Sequence, residues 1–323
     1  MTTLCGKGIW LAHSYDLERA VEFATRINGT HLLIKVGHGP HYFAETTREA
    51  IQRVRTLGLS AVAWVQLTNV ATADASKAIV ESLSRGYEAA VLYLADTHTN
   101  IGEDQMAALA EALVRVEIPR ERLFLASPPF AYLPDQAAVE ALVSVCQGGW
   151  MPLCFAAWGS DAEQTIDRDV YHELGDLSLL WGKTPQVYPV LSPHFGLNGD
   201  EILPENFIPW IEGVTRHGVD FFSIYHAANT EKVLWPMLEA VNVGCLETDG
   251  RAALSDERAD MGLSAVPQPM YITAKTSDTV WGIISRHSLN REQFWAWNAH
   301  LWDSRGLPRD PDYLQEGWRI RVK

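Results

Sequence analysis

The sequence predicts an α/β chain: a closed (β/α)8 barrel over residues 1–242, a connector over 243–269 and a small βααβ unit over 270–323. Three observations predict it. Eight apolar, strand-like runs begin between 23 and 36 residues apart, the length of a strand–helix unit. Amphipathic runs with 3.6-residue periodicity separate them. After residue 242 the periodicity lapses, and a tail of different charge follows.

The strands expected are 8–13, 31–36, 60–66, 88–94, 122–127, 150–157, 186–191 and 219–225. They are apolar almost throughout rather than alternating, as strands of a parallel sheet covered on both faces are. Between the first two, Leu17, Ala20, Val21, Ala24 and Ile27 form one stripe of a helix that stops at Asn28-Gly29. The runs 47–57, 74–84 and 204–216 repeat the pattern and stop at or near Gly58, Gly86 and Gly218. Eight such units in about 240 residues match a TIM-type barrel. An open doubly wound sheet is the competing architecture. No GxGxxG follows the first strand and no GxxxxGK[ST] occurs, which speaks against its nucleotide-binding version.

Charge narrows the partners. With 26 basic and 40 acidic residues the net charge is −14, so the surface repels phosphate backbones and nucleic acid is not an expected partner. The tail differs: residues 270–323 carry a net +2, against −16 for residues 1–269. No apolar run approaches the roughly 18 residues of a membrane span, so a membrane is not expected either. The start has no basic run followed by an apolar one, hence no Sec-type signal. That makes the cytoplasm the default expectation, with lysis, non-classical export or a phage-like particle as routes to a cell wall. Cys5, Cys146, Cys154 and Cys245 are scattered without CxxC or ligand spacing, and Cys146 and Cys154 read as buried free thiols.

In a (β/α)8 barrel chemistry sits where strands hand over to helices. Those exits carry His13, Lys35, His38, His41, Gln66, Asn69, Asp96, His98, Ser127, Trp158, Asp161, His194, Tyr225 and His226. This is a polar rim suited to sugar hydroxyls, with His13, Lys35, Gln66, Trp158, His194, Tyr225 and His226 as the substrate-binding set. Trp10, Trp64, Tyr93, Trp158, Tyr188 and Tyr225 are candidate stacking faces. For any one of these aromatics a place in the barrel core is the commoner role of a strand aromatic.

A glycosidase usually needs two carboxylates at the scissile bond, and a substrate-assisted mechanism still needs one strong general acid near the fourth strand. Only Asp96 lies close to a strand exit in the first half, and Asp161 follows the sixth strand by a few residues. The fourth strand runs Val91-Leu-Tyr-Leu-Ala-Asp-Thr97, with Tyr93 and Ala95 where an Asp-x-Glu pair is expected. Asp96 is then either a displaced general acid or a loop cap. A metal reading would combine His38, His41, His98, His194 or His226 with Asp96, but no HxH or HExxH spacing supports it. Ser127 lacks a GxSxG elbow. No metal and no cofactor is expected.

The tail reads strand (270–274), helix (280–287, capped by Ser277 or Asp278), helix (291–297, capped by Asn290), turn and strand (314–322). It resembles a LysM domain. The matching features are Tyr271 to Ala274, Ser277-Asp-Thr-Val-Trp281, Ile283-Ile284, Phe294 and Trp297 before Asn298, and Leu314 to Ile320 with a turn at Glu316-Gly317. The resemblance implies binding of N-acetylglucosamine-containing glycans, peptidoglycan or chitin, in a groove between two loops. Here those loops are Thr276, Ser277, Asp278 and Thr279 on one side and Asn298, Ala299, His300 and Leu301 on the other. Two departures bear on it: Asn298-Ala299 replaces the usual Asn-Pro, and residues 302–312 form a long insertion. The barrel in turn resembles the glycoside-hydrolase barrels joined to LysM modules in cell-wall lytic enzymes. The expectation is a cell-wall glycan-binding protein with a hydrolase-like barrel and Asp96 as its acid. The alternative is a non-catalytic glycan-binding or assembly component, as in phage tails and injection particles, with a protein partner on the LysM-like unit.

Overall fold

The apolar runs pair as a closed ring. The computed structural model describes residues 4–38, 41–67, 72–94, 102–132, 136–155, 161–193, 204–243, 271–274, 283, 294, 298 and 319–321. Two compact units divide the chain, Met1–Thr248 and Asp249–Lys323.

In the first unit eight parallel strands pair in chain order: β1 (Gly6–Leu11), β2 (His31–His38), β4 (Ser60–Gln66), β5 (Ala89–Tyr93), β6 (Leu123–Ser127), β7 (Gly149–Cys154), β8 (Val190–Leu191) and β9 (Phe221–Ile224). β1 pairs in parallel with both β2 and β9, which closes the barrel. Side-chain alternation then makes two apolar layers. Trp10, Leu33, Val62, Trp64, Val91, Tyr93, Phe124, Met151, Leu153, Tyr188 and Phe221 fill the interior. Ile9, Leu11, Ile34, Val65, Leu92, Leu125 and Ile224 face the helices. The helices are α1 (Leu17–Arg26), α2 (Ala44–Thr56), α3 (Thr72–Ser84), α4 (Glu103–Arg115), α5 (Gln136–Val143), α6 (Leu174–Trp181), α7 (Pro204–Arg216) and α8 (Trp235–Ala240).

The glycine stops hold at three of four places: Gly58, Gly86 and Gly218 have φ of +69°, +103° and +61° just after their helices. At Asn28-Gly29 it is Asn28 that turns left-handed (φ +55°). Three features depart from expectation. The strand expected over 186–191 shrinks to β8 with an isolated bridge between Trp150 and Val187, because Pro189 has no N–H for the ladder. A bulge between Lys35 and Gly37 lets β2 run on to His38, where a short antiparallel β3 (His41–Tyr42) folds back on it. A π-helix, Glu163–His172, stands between β7 and α6. Cys5 is disulfide-bonded, while Cys146 and Cys154 are buried free thiols.

In the second unit β10 (Tyr271–Thr273) pairs antiparallel with β11 (Arg319–Arg321). Ile283, Phe294 and Asn298 are helical, and Ala274, Ile283, Phe294, Asn298 and Ile320 are buried. The expected connector lies outside the described residues, apart from Val243.

Candidate functional site

Four residues of the predicted rim come together at the mouth of the barrel. Lys35, the inward residue of β2 before its bulge, lies opposite Trp64 in the β2–β4 register. Its ammonium sits 4.9 Å from the Trp64 ring centre and donates to Gln66 Oε1 at 2.7 Å. Burial holds its pKa below the usual lysine value. Tyr225 follows β9, half-buried, and its hydroxyl is hydrogen-bonded to that of Tyr93. The two rings are 5.7 Å apart and nearly parallel, at 11°. The next residue, His226, is joined to Tyr225 by a cis peptide bond. Its pKa is pushed down to about 4, chiefly by burial, with Asp16 opposing and His13, Lys35 and Arg19 assisting. The imidazole is therefore neutral at physiological pH.

Below this rim lies an aromatic floor. Trp10, Trp64, Tyr93 and Tyr225 meet at centroid distances of 5.1–6.4 Å, mostly edge to face, and Phe155 joins Tyr225 at 5.6 Å. This corrects the reading of Trp10, Trp64, Tyr93 and Tyr188 as stacking faces. All four are buried. The indole N–H of Trp10 is spent on Ser223 Oγ (2.8 Å), and that of Trp64 on the Leu33 and Leu11 carbonyls (3.0 and 3.3 Å). Of that aromatic set, Tyr225 is the described ring that remains half-exposed.

His13 lies just outside the mouth, exposed and stacked on Tyr15 at 5.0 Å. Both border a cavity of about 190 Å³, with Ile34, Lys35 and Phe43. His38 and His41 face one another across the β2–β3 pair, and burial, Lys35 and His41 hold the His38 pKa down. Among the described residues no three His, Cys, Asp or Glu side chains converge as a metal site would require. Asp96, Trp158 and His194 lie outside the described residues, as do Thr276, Ser277, Asp278, Thr279, Ala299, His300 and Leu301. Asn298, expected to close the second helix beside the glycan-binding groove, is a buried helical residue whose Nδ2 donates to the Phe294 carbonyl at 3.0 Å.

Sequence reasoning missed two acids near the strand exits. Asp16 acts on His226, yet it reads simply as the start of α1. Asp169 lies buried in the π-helix, accepting Tyr132 Oη and Gln164 Nε2, each at 2.7 Å. Neither stands within a motif that marks it. On β5 the inward residues are Val91 and Tyr93, so no carboxylate reaches the barrel interior from that strand's described residues.

No protein-family model matches the chain, and no curated protein matches it. Solved structures do. The catalytic domain of a hyperthermophilic chitinase from Pyrococcus furiosus superposes with a TM-score of 0.54 at 9% identity, covering 70% of this chain and 85% of that one. A GH18 chitinase from Pseudoalteromonas aurantia gives 0.50 at 12% identity, covering 72% of this chain and 98% of that one. At such identities the likeness is one of fold: the first unit is an eight-stranded parallel barrel like those of chitinases.

Proposed function

We propose that the protein binds N-acetylglucosamine-containing cell-wall glycan at its barrel mouth. One observation carries this reading: a chitinase-like barrel presents a polar rim of Lys35, Gln66 and His226 around the half-exposed ring of Tyr225. A sugar ring stacks on Tyr225, the Lys35–Gln66 pair and the neutral His226 bond its hydroxyls, and His13 borders the entrance. Trp158 and His194, which follow β7 and β8 in the sequence, are assigned to the same binding set. The second unit acts as a LysM-type module that holds the polymer and raises its concentration at the barrel. Its Thr276–Thr279 loop and residues Ala299, His300 and Leu301 form the groove.

The likeness to chitinase catalytic domains favours a second reading, hydrolysis with Asp96 as general acid. That reading requires Asp96 either to work with a second carboxylate or to serve as the general acid of a substrate-assisted mechanism. The two readings separate in one experiment. Full-length protein is mixed with insoluble peptidoglycan and with chitin, and both retention and loss of turbidity are followed. The expected outcome is retention without clearing. Clearing by wild type that falls at least about 100-fold in Asp96→Asn establishes hydrolysis instead. Absence of retention on either polymer removes the glycan reading.

A further inference from the structure

We propose that the barrel mouth selects a sugar bearing a carboxylate, with the Lys35 ammonium as its receptor; this rests on the glycan reading above and names the chemical class of the ligand. The barrel holds two substantially buried lysines, and comparing them carries the argument. Lys7, at the opposite end, spends its three donors on the carbonyls of Leu238, Glu239 and Val241 at 2.8, 3.4 and 2.8 Å. That cation is fully served by backbone. Lys35 is served far less. Its hydrogen bond is the one to Gln66 Oε1, and its other neighbour is the face of Trp64. Both partners are uncharged. Among the described residues no carboxylate pairs with it, although the chain carries 40 acidic residues and ion pairs form elsewhere on the barrel.

A half-buried ammonium with two donors unspent and no counter-charge among the described residues is costly to maintain, and an incoming anion relieves that cost. The neighbouring groups leave the position open to one. Arg19 is taken up by the Ala227 and Thr230 carbonyls. The His38 and His226 imidazoles are neutral hydrogen-bonding groups near the ammonium. Asp16 acts on His226, and among the described residues no carboxylate acts on Lys35. A planar carboxylate matches the two free donors, and its sugar ring reaches Tyr225 in the same mouth. The net charge of −14 repels anions at long range, so selection has to come from a local cation of this kind.

Calorimetry on the full-length protein tests this with three ligands: an N-acetylmuramic-acid-containing disaccharide, the same disaccharide with its carboxyl reduced to the alcohol, and a neutral N-acetylglucosamine dimer. Wild type is expected to bind the carboxylated sugar about tenfold more tightly than its reduced counterpart. The preference should vanish in Lys35→Gln and persist in Lys35→Arg. Equal affinity of wild type for the carboxylated and reduced sugars overturns the inference while leaving the glycan reading intact. So does a preference that survives in a folded Lys35→Gln. Binding of none of the three sugars overturns both.

Discussion

Lys7 is buried at the end of the barrel opposite the mouth, and its surroundings make a pH prediction. Burial lowers its pKa to about 8, with Glu239 opposing. In the unfolded chain the same group titrates near 10.5. Between these values the unfolded state binds more protons, so this residue adds stability as pH rises from 8 to 10.5 and adds no slope below 8. The slope is at most about 1.4 kcal/mol per pH unit. Denaturant unfolding of wild type and Lys7→Met across pH 7–10.5 checks it: the difference in stability should be flat below pH 8 and grow in favour of wild type above it. A difference that shrinks above pH 8 contradicts the assignment. The residue scale also shows where sequence stops. Lys35, Gln66, Tyr225 and His226 were legible because they end apolar strands. Whether an aromatic two residues earlier is floor or platform depends on how deep its layer lies, which alternation alone does not give. Trp64 looks like a sugar platform in sequence and is core in the fold. Replacing it with Ala should cost about 3–5 kcal/mol of stability, the range for a buried aromatic, before any effect on binding is measurable.

At the scale of elements, the π-helix depends on one buried acid. Asp169 receives Tyr132 Oη from the turn after β6 and Gln164 Nε2 from its own helix. The loops following two adjacent barrel strands are thereby joined through a single carboxylate. Tyr132→Phe removes the donor and leaves a buried carboxylate oxygen unpaired, which should cost about 1–3 kcal/mol. Hydrogen exchange should show the loss as faster exchange over residues 163–172 together with 130–132, with β1 and β2 unchanged. Protection altered equally across the barrel would mean that the bond does not act locally. These elements were not legible because each breaks a period. The strands β2, β4, β5 and β6 announce themselves as unbroken apolar runs, and α1 and α7 as clean 3.6-residue stripes closed by glycine or asparagine. The π-helix shifts its stripe out of the α period. β3 has two residues and β8 is cut short by Pro189.

At the scale of the whole barrel, the closing seam is the place where eight separately legible strands become one object. β1 must approach β2 and β9 at once, and Gly8 lies in both registers, opposite His31 and Ser223. Periodicity explains a strand there but not why its residue 8 has no side chain. The packing does: a Cβ at that position would come within 2.5 Å of Phe221 Cζ, 2.7 Å of Leu33 Cδ1 and 3.1 Å of Ser223 Cβ. Phe221 and Leu33 belong to the fully buried interior, so they have little room to retreat. Gly8→Ala should therefore overpack the seam and destabilise the barrel by about 1–3 kcal/mol. At about 2–4 °C per kcal/mol for a unit of this size, Tm should fall by roughly 2–12 °C. The control is Gly175→Ala in the first turn of α6, where nothing lies within 4 Å of an added Cβ and alanine is favoured over glycine by at most about 0.5–1 kcal/mol. Thermal unfolding should lower Tm in the first variant and leave it level or raised in the second. Equal and small shifts in both would mean that the seam is loose enough to admit a methyl group, and that closure is enforced by the ladder rather than by interior packing.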